Sequence, residues 1–390
     1  MRASLRQTAY GTVVPLLLFL GVVPASASFE TSNLSLKVNP YISAEKVLWR
    51  EGDASVKSYR IPLLSYTPKG HLLAVAEARK YSTSDAGPKF LVVRRSLDKF
   101  GDQWAPQQVV VDDGYLIFDG INLGAVIVDD EKGVIFIMYS ICNHHDQCNV
   151  TSTMLVKSYD DGVSWTKGEK LLGPGTWMFS PGPGFGIQKK YAPNKGRLIV
   201  CGHGSLDKDG LYCLLSDDHG ATWRWGGSVI GLPFGLVKQI GDFLPDECQL
   251  VELMDGSILV NIRNQYSYHC HCRMVTRSYD GAETFPMEHL YLDETLIEPA
   301  CAAGMVYHKN VLFFSNPKST TERVDLNLRW SYDNGTTWAD EFQIWNKASG
   351  YSTMTAHPGS MPYIFILFEK GILSYFESLT FLRVSLFEDV

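Results

Sequence analysis

Five short stretches of this 390-residue chain hold side chains that can do chemistry. The first is Tyr59-Arg60-Ile61-Pro62, and the second is Glu77-Ala78-Arg79 with Asp85 six residues beyond the arginine. The third pairs Glu247 with Arg263, sixteen residues on, in Asn261-Ile262-Arg263-Asn264. The fourth is Arg323-Val324-Asp325-Leu326, and the fifth is Gly350-Tyr351-Ser352 followed by Glu369. Arginine is a permanent planar cation that pairs bidentately with carboxylates. Asp and Glu are candidate proton donors and acceptors. Tyrosine, with a pKa of about 10, becomes a nucleophile only beside a base. Singly, each has a plainer account: a salt-bridged surface arginine, a turn aspartate, or one of 19 tyrosines in a core.

What must position these residues is written between them. Ser-x-Asp-x-Gly-x-x-Trp occurs cleanly at Ser158–Trp165, Ser216–Trp223 and Ser331–Trp338. A frayed copy runs from Ser278 through Asp280 and Gly281 to Phe285, and one with an insertion runs through Ser96, Asp98, Gly101 and Trp104. The first serines are separated by 62, 58, 62 and 53 residues, so a unit of about 60 residues repeats. In each box Asp accepts backbone N–H groups, Gly supplies a positive φ and Trp packs on the strand. The boxes are hairpin locks rather than catalysts. Short apolar runs at 70–76, 90–95, 134–139, 154–158, 197–201, 257–262, 311–314 and 363–368 read as strands, with few helices anywhere. The expected fold is an all-β, six-bladed β-propeller of about 57 residues per blade.

Arg2 and Arg6, the apolar run Val13–Val23 and Ala25-Ser26-Ala27 read as a secretory signal over residues 1–27, leaving 28–390 as one domain. The net charge of −7, or −9 without those two arginines, argues against nucleic acid or anionic membranes as partners. Eight cysteines in an oxidising compartment point to disulfides, with Cys142 and Cys148 close enough to staple one loop. His269-Cys270-His271-Cys272 resembles a zinc cluster, but on a strand its cysteines and histidines fall on opposite faces. Sequons at Asn33, Asn149 and Asn334 fit the same route. Gly182-Pro183-Gly184-Phe185-Gly186 has phosphate-loop composition without a following helix, so it reads as a pocket-lining or connecting turn. His203 and His269 read as structural.

The Tyr-Arg-Ile-Pro motif, the boxes and three arginines in order resemble the sialidases (exo-α-neuraminidases) across the whole mature chain. Ala76–Lys80, Leu198–Gly204, Tyr268–Cys272 and Phe314–Pro317 place the resemblance nearest the animal lysosomal branch. It implies that Arg60, Arg263 and Arg323 surround a sialic acid carboxylate, with Arg79 beside them. Tyr351 would be the nucleophile and Glu247 its base, because a carboxylate nucleophile would be forced against the substrate's own carboxylate. Asp85 would be the acid/base, Glu369 would orient Arg60, and Glu77 would do similar work.

The implied activity is retaining hydrolysis of terminal α-linked sialic acids on glycoproteins, oligosaccharides and gangliosides, with no metal or organic cofactor and a mildly acidic optimum. It also implies the serine carboxypeptidase cathepsin A as a partner and the lysosomal lumen as destination; a homo-oligomer is compatible with it. The ending Leu386–Val390 lacks the Tyr-x-x-apolar signal of those relatives, which keeps cell-surface or secreted locations open. A non-catalytic sialoglycan-binding propeller, a sialyl-transferring enzyme and a receptor scaffold are the rivals. The altered first and fourth boxes are expected to loosen their turns.

Overall fold

The computed structural model describes residues 37–387 apart from 114–118, 144–148, 172–178, 206–208, 232–243, 266–269, 358 and 360. The proposed signal segment, Asn33, Cys148, His269 and residues 388–390 therefore lie outside the described residues. Among those described there is no α-helix, only two three-residue 3-10 turns at Asp53–Ser55 and Met287–His289.

Every apolar run named above lies in or overlaps a strand. The first sheet runs Ser58–Tyr66, Leu72–Arg79, Lys89–Arg95, Gln108–Asp112. The second is built on Asp119–Asp129, Val134–Asn143 and Asn149–Ser158, with short edge strands at Glu169–Lys170 and Gly184–Phe185. The third is built on Phe179–Pro181, Leu198–Ser205, Asp209–Ser216 and Arg224–Ile230. The fourth runs Pro245–Glu252, Ile258–Asn264, Cys272–Ser278, Tyr291–Ile297. The fifth has seven strands, ordered from Tyr41–Arg50 through Ser378–Ser385, Tyr363–Lys370, Asp340–Ala356, Val324–Ser331 and Val311–Pro317 to Gly304–His308.

The apolar faces close these sheets into a propeller. Ile61 and Leu63 of the first pack with Val126 and Ile137 of the second. Ala125 and Ile127 pack with Leu198 and Leu214 of the third, and Ile199 and Leu215 with Leu250 and Ile262 of the fourth. Leu259 then meets Leu312 and Phe314 of the fifth, and Phe365 and Phe381 return to Leu64 and Ala74 of the first. Each interface removes apolar surface from water on both partners, which drives closure.

Six separate blades are not what the strand pairing gives: four sheets stand alone and the fifth is continuous. The reason is Asp340–Ala356, an unbroken 17-residue strand. Its first half pairs with Val324–Ser331 and its second with Tyr363–Lys370.

The boxes behave as hairpin locks. At Ser216, Oγ accepts from Gly220 N at 2.8 Å, while Asp218 takes Thr222 N at 2.8 Å and Thr222 Oγ1 at 2.6 Å. Gly220 has φ +80°, and a Cβ there would lie 2.5 Å from the Phe136 ring, so only glycine fits. The expectation of looser turns fails at the fourth box. Ala282, at φ 66°, takes the glycine's place and donates to Ser278 Oγ at 2.9 Å, and Thr284 still donates to Asp280. Buried Phe285 stands where the tryptophan would be. In the first box Asp98 accepts from Phe100, Asp102 and Gln103, so the insertion is absorbed.

Cys201 and Cys213, directly opposed on neighbouring strands, form one disulfide, and Cys270 and Cys272 form another. The second removes both thiolates from any zinc set. Cys142 is disulfide-bonded, whereas Cys248 and Cys301 are free and buried.

Candidate active site

Antiparallel pairing explains how residues far apart in sequence share one end of the fold. Arg60 lies opposite Glu77, and Ser58 opposite Arg79. Pro245 pairs with Asn264 and Cys248 with Ile262, which brings Glu247 beside Arg263. Register irregularities then aim the side chains: they fall between Arg60 and Leu63, Pro245 and Cys248, Val324 and Leu326, and Ser349 and Ser352. Bulges re-aim side chains beside functional sites. The first follows from Pro62, which has no N–H to give a ladder. Ile61, Ala300 and Asp325 hold left-handed φ values of 55°, 51° and 63°, which costs backbone strain in non-glycine residues.

These devices converge on Tyr351, 7 % exposed. Its hydroxyl donates to Glu247 Oε1. Arg263 Nη1 donates to the same hydroxyl at 3.1 Å and to Glu247 Oε2 at 2.6 Å. The Arg60 and Arg323 guanidinium carbons each lie 5.2 Å from the Tyr351 ring centre. All three predicted arginines, the predicted nucleophile and its predicted base thus form one cluster.

Glu369 is fully buried and fixes two parts of it. Oε1 accepts from Arg60 Nε at 2.5 Å and from Ile61 N at 3.2 Å, and Oε2 accepts from Tyr351 N at 2.9 Å. Gly350 is required here, since a Cβ would sit 2.1 Å from Glu369 Oε2. Arg323 differs from its companions. Its Nη2 donates to the Ala300 carbonyl at 3.1 Å, and among the described residues no carboxylate lies within ion-pair distance of it. Two of the three cations are neutralised and one is not, leaving a pocket suited to a monoanion.

Asp85 stands apart, exposed on the loop between Leu72–Arg79 and Lys89–Arg95. Arg79 Nη2 meets Asp85 Oδ1 at 2.5 Å, and Arg60 Nη1 lies 3.9 Å from that oxygen. Arg79 is held by Glu77, whose Oε2 accepts from Nε and Nη2 at 3.1 and 3.0 Å. Glu77 Oε1 accepts from Leu123 N at 2.8 Å, tying the first sheet to the second.

Burial, followed by the charge on Glu247, pushes the Tyr351 phenol well above its ordinary range. Burial also opposes ionisation of Glu247, but Arg263 and the Tyr351 hydrogen bond outweigh it and hold that carboxyl low. The pair therefore rests as neutral phenol donating to ionised carboxylate. Partial desolvation pushes Asp85 upward, but Arg79 and then Arg60 outweigh it and hold it below the usual carboxylate range.

Sequence reasoning missed several neighbours. Tyr375 and Phe376 lie against Arg60 with ring centres 5.3 and 4.9 Å away, and Tyr375 is 5.5 Å from Arg323. Their signal was adjacency to the Glu369 hairpin. His203, read as structural, has Asp246 Oδ1 3.2 Å from Nδ1. The Gly182–Gly186 segment is a connecting turn, whose Gly184–Phe185 pairs parallel to Ala125–Val126.

Residues 70–366 match the BNR repeat-like domain. A sialidase of Micromonospora viridifaciens is 30% identical over 346 residues, covering 80% of this chain and 50% of that protein. Sialidase-2 of Cricetulus griseus is 26% identical over 313 residues, covering 74% and 76%. The chain spans about half the length of the Micromonospora and Bacteroides fragilis sialidases it matches, 50% and 56%. Among solved structures, the Hadza microbial sialidase Hz136 superposes with a TM-score of 0.72 at 24% identity, covering 87% of this chain and 68% of that one. A leech intramolecular trans-sialidase gives 0.69 at 15% identity, covering 87% and 70%. With a matched domain over most of its length and sialidases among its relatives, the chain belongs to the sialidase family.

Proposed function

We propose that this protein is a retaining exo-sialidase that hydrolyses terminal α-linked sialic acids through a sialyl–tyrosine intermediate. The observation that carries the reading is the cluster of three guanidinium groups around the Tyr351–Glu247 pair, one of them unneutralised. The substrate carboxylate binds among Arg60, Arg263 and Arg323, which sets the anomeric carbon over Tyr351. The Tyr351 oxygen attacks that carbon as its proton passes to Glu247. The bond to the aglycone breaks, and the departing oxygen takes its proton from Asp85. Water then gives a proton to Asp85 and attacks the anomeric carbon, and the tyrosyl oxygen leaves with the proton from Glu247. Side chains fill every role, so the chemistry calls for no metal or organic cofactor.

Two features of the fold and setting go with this reading. The seven-stranded sheet counts as two blades sharing Asp340–Ala356, because Phe313 and Leu328 on one half pack against Ile366 and Leu382 on the other; that makes six. Residues 1–27 direct the protein into the secretory pathway and are removed there, with the lysosomal lumen as destination. Cathepsin A is its partner and sialylated glycoconjugates are its substrates, as in the sialidase-1 branch.

The test is to follow 4-methylumbelliferyl α-sialoside at mildly acidic pH, with and without cathepsin A, by proton NMR. Release of the α-anomer first supports the double displacement. Initial release of the β-anomer excludes the tyrosyl intermediate, and binding without turnover in the presence of the partner makes this a lectin.

The ionisation of Asp85 gives a signed prediction. The first step needs the protonated acid, so kcat/KM falls as pH rises through its free-protein pKa. Arg79 lowers that pKa, so Arg79→Gln raises it and moves the alkaline limb of the kcat/KM profile to higher pH. A limb that stays put or moves to lower pH separates Asp85 from that limb.

A further inference from the structure

The Ser82–Gly87 loop must hold an exposed Asp85 at one place over the pocket, and a buried lysine on the neighbouring strand reaches it. Lys89 is 0% exposed. Its ammonium donates to the Asp85 carbonyl at 2.5 Å, to the Ile121 carbonyl at 3.0 Å and to Asn122 Oδ1. Those three acceptors use all three N–H bonds of a lysine. All are neutral, and among the described residues no carboxylate lies within ion-pair distance of the ammonium. Burying a charge without an ionic partner is expensive, and burial correspondingly pushes the Lys89 ammonium down. A methionine of similar length would fill the space at lower cost, so packing alone does not account for a lysine here.

We infer that Lys89 is a positioning residue for the general acid, a tripod that ties the Asp85 loop to the inner strand Asp119–Asp129 of the next sheet. The inference rests on the hydrolase reading above. The loop base is closed separately: Lys80 N donates to the Pro88 carbonyl at 3.0 Å, and Lys80 Nζ meets Asp112 and Asp113 at 2.7 and 2.6 Å. That base fixes the ends of the loop. Among the described residues Lys89 is the side chain that reaches the backbone carbonyl of Asp85 itself, while Arg79 holds the Asp85 carboxylate and the Thr83 carbonyl. One residue is thus held at two points, by its carbonyl and by its side chain. Lys89 also adds positive charge near the Asp85 carboxyl, after Arg79 and Arg60 in effect.

An acid that is out of place is missed only when the leaving group needs a proton. Lys89→Met is therefore expected to discriminate between substrates. Against 3′-sialyllactose, whose leaving group is an alcohol, kcat/KM should fall about 100-fold, the lower range for loss of general-acid assistance. Against 4-nitrophenyl α-sialoside, whose phenolate leaves unaided, the fall should be about threefold or less, since Tyr351, Glu247 and the arginines are untouched. Asp85→Ala should show the same discrimination more strongly. Asn122→Ala, which removes one leg of the tripod and leaves the lysine, should show it more weakly, and serves if Lys89→Met does not fold.

Equal losses on both substrates, or no loss on either, overturn the role given to Lys89 while an active wild type leaves the hydrolase reading standing. A wild type inactive on both substrates with cathepsin A present overturns the two together. If Asp85→Ala fails to discriminate, the acid is misassigned and the tripod falls with it.

Discussion

Tyr351→Phe is expected to lower kcat/KM for sialosides by at least about a thousandfold, because it removes the atom that the proposed mechanism uses to form the covalent intermediate. The change is one oxygen in a side chain whose ring stays packed beside Cys301, Ile61 and Leu123, so folding is retained. Glu247 keeps its pair with Arg263 at 2.6 Å in the variant, which spares the protein a bare buried carboxylate. Affinity for free sialic acid, measured by calorimetry, should change little, since the three arginines remain. Glu247→Gln should lose kcat with the ring intact, because the phenol then has no ionised acceptor for its proton. Substantial turnover in Tyr351→Phe, with retention at the anomeric carbon, would move the nucleophile elsewhere.

Glu369→Ala has the largest expected effect on stability, about 3–5 kcal/mol, the range for removing one partner of a buried ion pair. The carboxylate is fully buried and serves Arg60 Nε, Ile61 N and Tyr351 N at once. Its loss strands a guanidinium that is 4% exposed, together with two backbone N–H groups in the interior. It also releases Ile61 from a left-handed conformation that nothing in an isoleucine favours. Glu369→Gln keeps an acceptor for some of these donors and should cost less, while weakening sialoside binding through a displaced Arg60. Denaturant unfolding of the three proteins reads this directly; a loss below about 1 kcal/mol for Glu369→Ala would mean that Arg60 finds other partners.

Much of this site could be read in the sequence because its parts are local signatures. Pro62 marks the bulge that turns Arg60, Gly350 marks the close approach of Glu369, and the boxes mark the hairpins between them. Lys89 escaped notice for the opposite reason. Its partners lie 4, 32 and 33 residues away, and no local pattern separates a lysine that starts a strand from one that caps it in water. The fourth box misled because its glycine is shifted by one position. The turn needs two consecutive left-handed residues and one N–H aimed at Ser278, and Ala282 supplies its share of both. The strand pairing departs from six separate blades because Asp340–Ala356 continues through its register shift at Ser349–Ser352 instead of ending there.

The pairing of Tyr41–Arg50 with Ser378–Ser385 joins the earliest described strand to the latest. During synthesis the first of these must wait for about 330 further residues, roughly 15 to 65 seconds at ordinary elongation rates. Until then it has no partner, and the strand groups that will receive Ser378–Ser385 stand open to any other chain. The nascent chain is thus exposed to mispairing until Ser378–Ser385 emerges, and that strand decides whether the ring shuts on itself.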